Sequence, residues 1–220
     1  MESPTYLHAG KVINSRYRLI TPIGSGTLAQ VYLADDIRVR KQTIVKVFDE
    51  PFRSGNDVQD DFQISLQDLA RTSHPNLIKI LDWGSGEISY IVTEFLAGGD
   101  LRAMLQQDAS LSVAQITLIM MEILKGTSYL HERGKVHGGL KPENVIFSLN
   151  GDLKLSDTGM GSVSAKYFSS ELVTEGPYVS PELSQGGLLS PAADVYAIAA
   201  IFKELIHTKL PELSLIHISE

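Results

Sequence analysis

The chain has 220 residues, of which 43% are hydrophobic and 20% charged, and it carries a formal net charge of −7. That is enough apolar material for one domain or a pair of lobes, and the acidic balance excludes a nucleic-acid binder that relies on a basic face. The absence of cysteine excludes a disulfide framework, a cysteine nucleophile and a thiolate zinc site. The N-terminus MESPTYLHAGKVINS lacks the apolar run of a secretory signal. The apolar stretches at Ile116–Leu124 and Ala197–Leu205 are too short and too interrupted by charge to span a bilayer. A cytoplasmic α+β domain is expected.

From Tyr17 to about Val47 the segments YRLITPIG, QVYLADD and TIVKVF alternate in hydrophobicity and are broken by Gly and Asp turns, which predicts short strands. Val58–Thr72 has Phe62, Leu66 and Leu69 at helical spacing, with acids first and an arginine last, and stops before His74-Pro75. LIKILDWG and ISYIVTEFL predict a second strand pair joined at Gly84-Ser85-Gly86. After Gly98-Gly99 the texture becomes helical. Ser112-Val113-Ala114-Gln115 reads as a capping box opening a helix that runs to Arg133 and stops at Gly134. Two short strands, VIFSL and LKLS, precede a Ser/Gly-rich stretch from Asp157 to Gly187. Ser190-Pro191 then starts the helix ADVYAIAAIFKELI as N-cap and N1 proline.

Chemistry concentrates in few places. In IGSGTLAQVY, Gly24 and Gly26 let the backbone turn tightly, with amides able to face a phosphate. By itself such a pair is commonly only a turn. Lys46, in the apolar run TIVKVF, can simply snorkel outward. One strand beyond the glycine turn, it can also present an ammonium to phosphates.

Taken together and in order, these segments resemble the protein kinase family, most of all bacterial Ser/Thr kinases of the eukaryotic type. IGSGTLAQVY is similar to the glycine-rich loop through Gly24, Gly26 and Val31, with Ala29 at the third glycine. Lys46 matches the family's strand lysine. IVTEFLAGGDL resembles the hinge, which implies Thr93 as gatekeeper and Glu94–Leu96 as the adenine-facing backbone. KVHGGLKPENV resembles the catalytic loop, SDTGMG the D-F-G element, YVSPE the A-P-E element (Ser180-Pro181-Glu182) and DVYAIA the segment led by a buried aspartate, Asp194. The resemblance runs from Tyr17 to Pro211. It implies a bilobal α+β fold: an N-terminal extension (1–16), an antiparallel β lobe with one helix and the hinge (17–96), and a helical lobe (97–212).

The resemblance also implies contacts to Mg-ATP: Lys46 and Lys141 on phosphates, Asn144 and Asp157 on magnesium. Phosphoryl transfer further needs a glutamate holding the lysine and an aspartate accepting the substrate proton. Here Ser65 stands at the glutamate position, with Asp61 or Asp68 as conceivable substitutes. Gly138 replaces the loop arginine, Gly139 the catalytic aspartate and Thr158 the D-F-G phenylalanine. His137 is retained as a packing support. With glycine in place of the loop arginine, phosphorylation of GSVSAKYFSSELVTEG lacks its reader. Three readings follow: a pseudokinase that binds Mg-ATP and acts through protein partners, a weak or unconventional Ser/Thr kinase, and a scaffold that binds no nucleotide.

The octet Leu213–Glu220 can be encoded by a sequence resembling a transposon-end adapter, so a non-native tail is expected there. The family's later helices would then be missing, Glu182 would lack its downstream arginine, and a longer protein could carry a membrane anchor.

Overall fold

The computed structural model describes residues 7–25, 29–48, 64, 66–84, 88–107, 110–159 and 176–209. The chain divides into two compact units. The first comprises Met1–Ser73 with Lys79–Phe95, and the second His74–Ile78 with Leu96–Glu220.

The first unit is a six-stranded antiparallel sheet: β1 (Val12–Ile13), β2 (Tyr17–Ser25), β3 (Ala29–Asp36), β4 (Lys41–Phe48), β5 (Ile80–Gly84) and β6 (Tyr90–Glu94), in the order β1-β2-β3-β4-β6-β5. The alternation seen in the sequence assigns the two faces. Tyr17, Leu19, Tyr32, Ala34, Val45, Val47, Tyr90 and Val92 bury one face as a single cluster with Ile13. Val31, Leu33, Ile44 and Lys46 lie on the opposite, half-buried face, as period-2 geometry requires. Arg16 ties the sheet's end together. Its guanidinium donates to both oxygens of Asp36 at 2.7–3.1 Å and lies 3.6 Å from Asp82, which accepts from the Tyr17 hydroxyl at 2.6 Å. The hydrogen bond from Arg16 holds the Asp36 carboxyl below its usual range, and burial pushes the Tyr17 hydroxyl up. Of the helix expected at Val58–Thr72, residue 64 and residues 66–72 fall within the described part; residues 64 and 66–70 are helical, with Leu66 fully buried, and the helix ends in a turn at Arg71, short of Thr72.

The second unit contains α1 (Leu101–Leu105), α2 (Val113–His131), β7 (Val145–Phe147), β8 (Leu153–Leu155), α3 (Pro181–Ser184) and α4 (Pro191–Lys209). Helix α2 opens on the expected capping box, Ser112 accepting from the Gln115 amide while the Gln115 side chain accepts from Ser112. It ends two residues before Arg133. Gly134 (φ 67°) supplies the left-handed turn, and the Lys135 amide returns to the Leu130 carbonyl at 3.0 Å. The apolar face Ile116, Ile119, Ile123 and Leu130 packs with Ala197, Ile198, Ile201 and Leu205 of α4 and with Leu153 and Leu155 of β8 in one core. Each buried isoleucine or leucine of this set contributes roughly 1.5–3 kcal/mol. Residues 74–78 join this core through Leu77, while the Asn76 side chain donates to Glu122 (2.5 Å) and to the Leu153 carbonyl (3.0 Å). Among the described residues no helix is long and apolar enough to cross a membrane.

Candidate functional site

In the first unit the strand register lines up the residues singled out in the sequence. Gly24 pairs with Val31, Val31 with Lys46, and Lys46 with Ile91, one cross-strand row over β2, β3, β4 and β6. The next row brings Ile44 opposite Thr93 and Thr43 opposite Glu94. Val31, Lys46 and Thr93 are all half-buried and share the face turned away from the sheet's own cluster. Glu94 closes this edge: its amide donates to the Lys79 carbonyl (3.1 Å) and its carboxylate accepts from the Lys79 amide (2.8 Å). Gly26, Ser65 and Asp61 lie outside the described residues, while Asp68 is exposed on its helical turn.

In the second unit the segment 137–144 is held by its backbone. Asp194, in the first turn of α4 and 1% exposed, accepts from the amides of His137 and Gly138, each at 2.8 Å, and from His131 Nε2 at 2.8 Å. His137 is fully buried, and its carbonyl accepts from the Gly159 amide. Gly138 has φ 74°, a left-handed conformation that a side chain enters at a cost of about 1–2 kcal/mol. Gly139 does not. Among the described residues, a Cβ placed there meets only Asn144 Nδ2, at 3.9 Å, an ordinary contact. The position has the backbone and the space for a side chain and has none.

Asn144 is brought to Gly139 by the one-turn 3-10 segment Pro142–Asn144, and its Nδ2 donates to the Gly139 carbonyl at 2.7 Å. That bond fixes the amide so that Oδ1 is its acceptor end, approached by Ser156 Oγ at 3.4 Å. The β7–β8 register, Val145 opposite Leu155, places Asn144 beside Ser156, whose amide donates to the Asn144 carbonyl. Asn144 and Asp157 therefore leave the same end of one hairpin. Asp157 is half-buried with φ 60°, a left-handed conformation that aspartate tolerates better than most residues. The Oγ1 of Thr158 is buried without a hydrogen-bond partner among the described residues. Lys141 is exposed and Leu96 half-buried.

The residues fit a magnesium–nucleotide complex as a donor set. Asn144 and Asp157 supply hard oxygens, and among the described residues no three His, Cys, Asp or Glu side chains form an all-protein metal cage. Magnesium held by one or two protein oxygens and completed by phosphates needs no such cage.

Sequence reasoning missed one cluster beside this segment. Arg102, on α1, donates to Glu143 (2.9 Å), to Glu204 on α4 (2.5 Å) and to the Tyr178 hydroxyl (2.6 Å), and Tyr178 donates in turn to Glu204. Burial acts to raise the Glu143 carboxyl, but the Arg102 hydrogen bond, a backbone hydrogen bond and the charges of Arg102 and Lys141 together outweigh it and hold the group below its usual range. Burial and Glu204 push the Tyr178 hydroxyl up to about 12. Glu143 directly precedes Asn144, so this hub steadies the segment from a second side. The four residues are scattered from 102 to 204, and no spacing rule could have gathered them.

A family model described as the protein kinase domain matches residues 17–214. The serine/threonine-protein kinase PrkC of Bacillus subtilis is 30% identical over 207 residues, which cover 92% of this chain and 32% of that protein. The serine/threonine-protein kinase PknL of Mycobacterium tuberculosis is 30% identical over 204 residues, 91% of this chain and 51% of that protein. The chain thus spans a third to a half of the length of these relatives. Among solved structures, the PknI kinase domain of Mycobacterium tuberculosis matches with a TM-score of 0.69 at 24% identity, over 93% of this chain and 77% of that one, a likeness of fold. The chain belongs to the protein kinase family, in its eukaryotic-like bacterial branch.

Proposed function

We propose that this domain is a pseudokinase: it binds Mg-ATP and regulates protein partners, with phosphoryl transfer absent or very weak. The observation that carries the reading is Gly139. The surrounding segment is held by Asp194 and Asn144, yet the residue that would accept a substrate proton has no side chain. A positioned general base contributes roughly 10²–10⁴-fold, or about 3–5 kcal/mol of barrier. On this reading Gly24, Gly26, Lys46 and Lys141 contact the phosphates, Val31, Thr93, Glu94 and Leu96 the nucleoside end, and Asn144 and Asp157 the magnesium. The metal, when bound, neutralises phosphate charge. Lys46 gives a fixed ammonium, and Asn144 presents Oδ1 because Gly139 occupies its Nδ2.

A second reading, a feeble Ser/Thr kinase, draws support from the same intact segment and from the relatives' names. The two separate in paired assays. A thermal-shift titration with Mg-ATP at about a hundred times Kd raises stability by roughly 2.7 kcal/mol if nucleotide binds, and Lys46→Ala abolishes the shift. Transfer of γ-phosphate to a protein acceptor stays at background for the pseudokinase and rises above it for the weak kinase. No shift in the unmodified chain leaves the scaffold reading.

A further inference from the structure

The N-terminal segment before β2 is more than an extension. The amide of Gly10 donates to the Leu19 carbonyl at 2.8 Å and the Leu19 amide to the Lys11 carbonyl at 2.9 Å, so the segment is stitched to the outer edge of β2. Beyond that edge Leu7 packs on the sheet's buried cluster, and its amide donates to the Tyr32 hydroxyl at 3.0 Å. Tyr32, 1% exposed, passes the contact on: its O–H donates to Gln30 Oε1 at 2.5 Å. Gln30 is 4% exposed and pairs with Ser25 on β2 and Val47 on β4, at the base of the glycine turn. Its neighbour Val31 faces the other side of the sheet, in the row of Gly24 and Lys46.

We infer that residues 7–13 form a strap that sets the position of the glycine turn through a Leu7–Tyr32–Gln30 relay, and through it the affinity for nucleotide. The second half of that statement rests on the Mg-ATP reading above. The physical case is one of satisfaction: a buried Gln carbonyl and a buried phenol each need a partner, and here each supplies the other while a backbone amide of the strap completes the chain. Losing the strap takes the Leu7 amide away from the Tyr32 oxygen and uncovers the cluster under Leu7. The strand that carries Val31 then loses its support from behind. Tyr32 and Gln30 are positioning residues and reach nucleotide only through Val31 and the turn.

The test is hydrogen exchange at residues 23–25 and 29–31, with Mg-ATP affinity measured in parallel, on the full chain, on Tyr32→Phe and on a chain lacking residues 1–9. Tyr32→Phe keeps the ring and removes one hydroxyl with both hydrogen bonds of the relay, so folding is retained, and each lost hydrogen bond corresponds to about a fivefold effect. Exchange at least about five times faster at these residues in Tyr32→Phe, faster still in the shortened chain and with a smaller rise at Val45 and Val92, with a matching loss of affinity, is the expected result. Unchanged exchange at the turn overturns the strap. Exchange that rises equally at Val45 and Val92 also overturns it, by showing a general packing role. Faster exchange with unchanged affinity overturns the link to nucleotide. If the unmodified chain binds no Mg-ATP, the nucleotide reading fails by itself, and the exchange pattern still decides the strap.

Discussion

The Gly24–Val31–Lys46 row of the sheet and the segment 137–144 of the helical unit are built on opposite principles. In the sheet, the backbone ladder sets register, and what it presents are side chains: Val31 and Lys46 stand side by side, beside Gly24. In the segment, Asp194 grips two amides and Asn144 grips a carbonyl. None of those bonds uses a side chain at 138 or 139. A frame made from backbone groups does not depend on side chains at 138 or 139, so the segment keeps its shape with glycine at both positions.

The largest way to break that comparison is to remove the grip. Asp194→Ala orphans the amides of His137 and Gly138 and the ring of His131, at roughly 1–3 kcal/mol for each buried donor, so chemical denaturation is expected to show a loss of about 4 kcal/mol. Arg102→Met comes next. It leaves Glu143 and Glu204 without their cation, but these groups are partly exposed, so a loss of about 2 kcal/mol is expected, below the range for fully buried pairs.

The two adjacent glycines sharpen the comparison further. Gly138→Ala forces a side chain into φ 74° and is expected to cost about 1 kcal/mol. Gly139→Ala meets only an ordinary contact and is expected to be neutral or to stabilise by up to about 1 kcal/mol through the unfolded chain. Equal costs at both positions would show that the frame does not distinguish them.

The smallest effect is in alkali. The Tyr178 hydroxyl, raised from about 10 to about 12 by burial and Glu204, contributes stability that is complete below pH 10 and lost as pH rises through 12. Tyr178→Phe should remove that part of the alkaline transition in a stability–pH profile. The lowered carboxyls of Asp36 and Glu143 act in the opposite direction, contributing stability above their unfolded values that is lost in acid.

Much of this was legible in the sequence, for reasons that differ by element. The strands from Tyr17 to Phe48 announced themselves by alternation, because one face of the sheet is buried. The start of α2 was legible because its cap is local, Ser112 to Gln115. Helix α1 was not: five residues are too few to show a period, and its signal is one Asp100 cap. Strand β1 has two residues and owes its existence to pairing with β2. The candidate site residues were found through family order, whereas the Arg102 hub and the Leu7–Tyr32–Gln30 relay depend on contacts between distant segments and left no trace in spacing.

The most direct test of the central claim is the rate of γ-phosphate transfer from Mg-ATP by the unmodified chain and by Gly139→Asp, side by side. A segment in which the missing proton acceptor at 139 is the main loss predicts that the aspartate raises the rate by about 10²-fold or more. Equal rates in the two proteins, whether both measurable or both nil, would contradict it.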